Sequence, residues 1–211
     1  MTIHWSYLVG AVLALMFPTD LLLPQATRLR DFESFVSLED SPQKRPWWWL
    51  LALWLDPVRA FGGTALLLRA VVAPAGRHAL VHSPAYWIIT LILSASCLSQ
   101  CLTRRDSEAL LAPIGFSVGC LCVIVAPAAA AIGFALAIMS LFAFRRLNAF
   151  FGVAFATLPI LDYFLGGRLP WLLPALIVLA IPLAATLITG RTLELPTLGN
   201  PKGADTSVPH R

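Results

Sequence analysis

Residues 109–144 read ALLAPIGFSVGCLCVIVAPAAAAIGFALAIMSLFAF, thirty-six positions between Glu108 and Arg145 without one Asp, Glu, Lys, Arg or His. Such a ribbon leaves water for lipid. As one helix it would be about 54 Å long at roughly 1.5 Å per residue, against a hydrocarbon core about 30 Å thick. The least strained arrangement is two short spans that double back near Val125-Ala126-Pro127. Pro127 suits the turn, since it has no amide hydrogen to leave unpaired and its fixed φ matches the first turn of a second helix.

The chain around this stretch has the same character. Its 211 residues are 58% hydrophobic and 12% charged, where a soluble domain carries roughly 25% charged residues. The charged residues are bunched into short segments separated by apolar runs of spanning length, which is how a polytopic membrane protein distributes polarity. A large soluble domain is excluded. The formal charge of +4 does not point to nucleic acid, because the basic residues stand in twos and fours at the ends of apolar runs, where they orient a chain in a membrane.

The expected architecture is an all-α bundle over residues 1–190, with seven transmembrane spans at about 5–23, 47–73, 85–103, 109–125, 128–144, 149–165 and 171–189. The first span should be retained, since it lacks a basic leading region and an Ala-x-Ala cleavage site. Residues 24–46 form the longest loop. In it Leu29, Phe32, Phe35, Val36 and Leu38 recur among Arg28, Arg30, Asp31, Glu33, Glu39 and Asp40 at roughly helical spacing. That pattern fits an amphipathic helix on the membrane surface or against a partner. Residues 191–211 are a polar tail whose Pro, Gly, Thr and Ser content predicts disorder in isolation.

The second span is the most irregular. Trp47-Trp48-Trp49 marks its interface, and Asp56-Pro57-Val58-Arg59 and Arg69 interrupt its apolar pattern. One long helix kinked at Pro57 is preferred over an interfacial helix followed by a dip of residues 60–73, which at about 21 Å is too short to cross. The third span is the most polar, and Ser94, Ser96, Ser99 and Gln100 offer interhelical hydrogen bonds. Gly115 and Gly119 form a G-x-x-x-G that permits close helix approach, with Gly133 and Ala137 a weaker small-residue pair.

Charge provides an independent check on the doubling back. Seven spans put Arg28, Arg30, Lys44, Arg45, Arg104, Arg105, Arg145, Arg146, Arg191, Lys202 and Arg211 on one side and only Arg77 and Arg168 on the other. Cytoplasmic loops carry the excess of Lys and Arg, so the N-terminus is expected outside and the C-terminus in the cytoplasm of a cell-membrane protein. Reading residues 109–144 as one span would leave seven against six, and the bias would vanish.

Candidate chemistry is sparse. Asp56 and Arg59 stand i, i+3 on one helix, about 13 and 18 Å from the start of the second span, hence near mid-membrane. Intramembrane ionisable residues mark proton or ion pathways by default, while the plainer alternative is an ion pair that fixes packing. Asp162 and Arg69 both fall near the outer surface and could pair. Asp20 lies near the cytoplasmic end of the first span. His78 and His82 share a helical spacing but sit in a loop with no Cys, Asp or Glu close by in sequence, so no metal is expected there.

Cys97, Cys101, Cys120 and Cys122 lie within spans and are read as packing residues, with Cys101 and Cys120 at opposite depths. There is no H-E-x-x-H, G-x-S-x-G or Walker A motif. The only lysines, Lys44 and Lys202, lie outside the spans, which excludes a retinal Schiff base. The Ser117 of G-F-S-V-G has no histidine in any later span to activate it. A lipid-active enzyme would have to work with Arg77, His78 and His82, and no nucleophile accompanies them. No catalytic residue or cofactor is therefore expected. The functional expectation is a non-catalytic accessory or scaffold subunit of a larger membrane complex, holding other membrane subunits through the 24–46 loop and the tail. The alternative is a small-solute, proton or ion transporter or channel using Asp56 and Arg59.

Overall fold

Helices form where the apolar runs lie, and they stop where proline, glycine or charge intervenes. In a computed structural model, which describes residues 2–17, 27–30, 51–72, 83–102, 110–165 and 169–198, the chain is helical. Among the described residues there are seven α-helices: α1 (Trp5–Met16), α2 (Leu51–Ala70), α3 (Pro84–Leu102), α4 (Ile114–Ile124), α5 (Pro127–Phe144), α6 (Leu147–Phe164) and α7 (Leu172–Thr189). Four of these, α3, α5, α6 and α7, are long and apolar enough to cross a membrane. The protein is a membrane protein. Large apolar side chains are exposed around it, among them Met139, Phe142, Phe164, Leu187 and Ile188, as a lipid-facing surface requires.

The helix ends follow local chemistry. Pro127 occupies the start of α5, where its missing N–H is harmless. Gly190 ends α7 in the left-handed conformation at φ 64°, which glycine adopts without a Cβ penalty. Arg145 ends α5 at φ 53°, a conformation that disfavours other L-residues by about 1 kcal/mol or more. That strain lets α6 begin two residues later and fold straight back on α5. α2 runs unbroken through Pro57.

The irregular segments are not all loose. Two sets of short strands clip the helix ends: β1 (Thr2–Ile3) pairs antiparallel with β3 (Val71–Val72), and a second sheet has the order β2 (Thr27–Arg30), β5 (Leu193–Leu198), β4 (Leu110–Leu111). β5 runs antiparallel to β2, with Arg28 opposite Thr197, and parallel to β4, with Leu110 opposite Leu193. Pro196, which has no amide to donate, lies opposite Leu29 of β2 and beyond the end of β4. At that point β5 has a neighbour on one side only, the position in a sheet that proline tolerates.

This sheet corrects two expectations. Residues 27–30 are strand rather than part of an amphipathic helix, the rest of 24–46 lying outside the described residues. The first part of the tail is ordered backbone, because residues 193–198 pair on both sides in succession and so satisfy groups that a free tail would give to water. The first span is also shorter than expected, α1 ending at Met16 with its cap at Phe17.

Contacts sort the helix ends into two faces. On one lie β1 with β3, the His4 N–H donating to the Ala70 carbonyl at 2.9 Å, and the Tyr86 and Trp171 rings at the starts of α3 and α7, 5.8 Å apart. The other holds the β2–β5–β4 sheet and the α5–α6 turn, where the Ser140 hydroxyl donates to the Ala149 carbonyl at 3.1 Å. α4 and α5 meet at Val125-Ala126 but barely pack on each other. Instead α4 lies along α2, α5 along α6, and α1 along the opposite flank of α2.

Glycines set these pairings. A Cβ on Gly119 would fall against the Pro57 carbonyl, 2.8 Å from Ala60 Cβ and 2.9 Å from the Phe61 nitrogen; one on Gly115 would come 2.9 Å from Pro57 Cδ. The G-x-x-x-G face therefore seats α4 on the backbone of α2 at its proline. Gly63 instead faces the Leu15 side chain of α1, and Gly133 the Leu158 side chain of α6. Between these seams lies the core of Leu15, Leu67, Leu93, Phe116, Phe151 and Leu179. Gly119→Ala is expected to lower stability by about 1–3 kcal/mol through this backbone clash. Gly152→Ala, whose Cβ meets nothing within 4 Å, should be neutral or mildly stabilising. Thermal unfolding of both variants in mild detergent checks the contrast.

Candidate functional site

Two carboxylates of the described helices, Asp56 and Asp162, serve the starts of other helices. The N-terminus of α4 has no cap of its own, its preceding residue being Pro113, so its first-turn amides need an acceptor from elsewhere. Asp56 of α2 supplies it. Its carboxylate accepts from the Phe116 backbone N–H, and the Gly115 face places the first turn of α4 directly against Asp56. Arg59, one turn along α2, donates to the same carboxylate at 2.6 Å. This Asp56–Arg59 contact is the one ion pair among the described residues.

Arg59 has a second task. Its other terminal nitrogen donates to the Phe17 carbonyl at the C-terminal cap of α1. Gln100 of α3 reaches the same helix end, its amide donating to the Phe17 carbonyl at 3.3 Å and the Leu15 carbonyl at 3.4 Å. The cation lies at the negative end of one helix and the anion at the positive end of another, the arrangement helix dipoles favour. The pair is therefore level with the end of α1, the start of α4 and the last turn of α3. Residues 47–50, from which the sequence count of its depth began, lie outside the described residues.

Asp162 repeats the device at the opposite face. It is 1% exposed on α6, and its carboxylate accepts from the Ala126 N–H at 3.2 Å, beside the start of α5, which also lacks a side-chain cap of its own. The expected Asp162–Arg69 pair does not form; Arg69 is exposed in the last turn of α2. Asp20, Arg77, His78 and His82 lie outside the described residues. Gly115 and Gly119 belong to the site as the seat that brings α4 onto Asp56.

The cysteines also need correction. Cys97 and Cys101 stand one turn apart on α3, and Cys120 of α4 is close enough to bear on the Cys97 thiol, so depth does not separate them. α4 is only 11 residues long, which puts Cys120 near its middle. All three are fully buried. Cys97 donates to the Val178 carbonyl at 3.4 Å, and Thr64 donates to Cys120 at 3.3 Å. Among the described residues no three His, Cys, Asp or Glu side chains are placed to hold a metal. Of the polar residues on α3, Ser94 turns back to its own Thr90 carbonyl at 2.7 Å, and Gln100 crosses to another helix.

Sequence reasoning missed the capping roles of both aspartates. The signal was present in Pro113 and Ala126, two helix starts without a capping side chain, but nothing local says which distant carboxylate will serve them. Chemically, the arrangement holds helix ends together. Comparison with family models, curated proteins and solved structures finds no match for this chain.

Asp56→Ala is expected to lower stability by about 3–5 kcal/mol, because it strands Arg59 without its counter-ion. Asp162→Ala should lower it by about 0.5–2 kcal/mol, the range for a lost cap, and Asp162→Asn, which keeps an acceptor, by less. Unfolding in mild detergent measures the order; equal or negligible losses would remove the capping assignment.

Proposed function

We propose that this chain is a non-catalytic accessory or scaffold subunit of a larger membrane complex, with seven spans, its N-terminus outside and its C-terminus on the cytoplasmic side of the cell membrane. The observation that carries the reading is the engagement of both carboxylates: Asp56 and Asp162 each serve the start of an uncapped helix, so the described intramembrane charge has a structural task. The partner-facing surface is the cytoplasmic one, where residues 27–30 of the loop pair with residues 195–198 of the tail.

The threading supports seven spans even though α1 and α4, at roughly 18 and 16 Å, are shorter than a bilayer core of about 30 Å. Extended residues at their ends make up the length at about 3.3 Å each. Such backbone needs partners where water is absent, and the pairing of β4 with β5 and of β1 with β3 provides them. Reporters at Arg104 and Arg145 should label from the same side of intact membranes, and labelling from opposite sides would dismantle the orientation.

The competing reading is a proton, ion or small-solute transporter working through Asp56 and Arg59. It draws on the buried Arg59 Nε, which has no hydrogen-bond partner, and on the general association of intramembrane charge with transport. The two readings separate in one preparation. A scaffold subunit co-migrates with other membrane proteins when extracted in mild detergent, and liposomes holding it alone show no flux that Asp56→Asn abolishes. Isolation as a lone chain with Asp56-dependent flux would reverse the assignment.

A further inference from the structure

The C-terminal segment has a role that the scaffold reading does not supply. Three residues separate the end of α7 from β5, which is the middle strand of its sheet. On one side it pairs with β4, an attachment extended by the Leu110 N–H donating to the Thr192 carbonyl at 3.1 Å. β4 is separated from α4 by Ala112 and Pro113 alone, and Leu110, Ala112 and Leu193 are buried. On its other side β5 pairs with β2 through four residues in register. One strand thus fastens the chain that follows α1 to the chain that enters α4.

The geometry points to a conformational clasp: β5 holds β4, β4 sets where α4 begins, and the first turn of α4 is the one that Asp56 caps. Withdrawal of β5 leaves β2 and β4 without their shared partner, frees the lead-in to α4, and loosens the seam between α4 and α2. The clasp is intramolecular and stands whether or not a partner subunit exists. Cys97, Cys101 and Cys120, all fully buried around that seam, are native reporters of its opening, whereas Cys122 is exposed and must be removed from the signal.

The test uses the full chain carrying Cys122→Ser. Arg28→Cys with Thr197→Cys places two thiols opposite each other in the β2–β5 register, where Cα atoms about 5.5 Å apart suit a disulfide. A mild oxidant should cross-link this pair and leave Arg28→Cys with Glu194→Cys, displaced by about 10 Å along the strand, uncross-linked. Labelling of the buried thiols by N-ethylmaleimide, read by intact mass, should then be several-fold slower in the cross-linked chain than in the same chain reduced, because a closed clasp suppresses local opening. In parallel, a chain stopped after Gly190 should label about tenfold faster than one stopped after Leu198, which keeps β5. Failure of the in-register pair to cross-link overturns the clasp. So does cross-linking that leaves thiol labelling unchanged, or equal labelling of the two truncated chains. Loss of partner co-migration alongside intact cross-linking would instead count against the scaffold reading alone.

Discussion

A stretch with no charged or capping side chain of its own must still satisfy the amides at the start of each helix it forms. Residues 109–144 make two helices, and both begin without a side-chain cap. In water such amides would find solvent, but in lipid each unsatisfied group is disfavoured by several kcal/mol. The two caps come from outside the stretch, Asp56 on α2 and Asp162 on α6. Each carboxylate dictates a neighbour. α4 has to lie on α2 and α5 on α6, and the hairpin opens to meet those partners rather than closing on itself.

Glycine placement makes the same choice by a different route. Helices in lipid gain little from hydrophobic burial against one another, so packing and backbone approach decide which pairs form. Gly115 and Gly119 lie on the face of α4 that meets Pro57, and Gly133 lies on the face of α5 that meets Leu158. Capping and close packing therefore select the same pairs from independent residues. Pro57 fits this arrangement well, since α4 makes its close approach to α2 at this residue.

The helical class, the doubling back at Pro127 and the close-packing faces were legible because each rests on local pattern: length without charge, proline position, small residues four apart. Partner choice was not. Asp162 and Arg69 look complementary on a linear depth scale, yet an uncapped helix start competes for the carboxylate and holds it. The depth scale failed for the cysteines too, because it assumes helices of uniform length, whereas α4 has only 11 residues and starts inside the apolar stretch. The strand in the tail was hidden for another reason. Leu193 to Leu198 has a proline and no clean alternation, so its order depends on two distant segments rather than on its own composition.

The Asp56–Arg59 pair is tied to two helix ends at once. Asp56 is bound by a guanidinium 2.6 Å away and by a helix amide. Arg59 in turn is bound to a helix C-terminal carbonyl that favours the cation. Neutralising either member would leave two helix ends unmatched together. The coupling that joins this pair to two helix ends makes it a structural element, so two adjacent charges in an apolar bundle have a packing task.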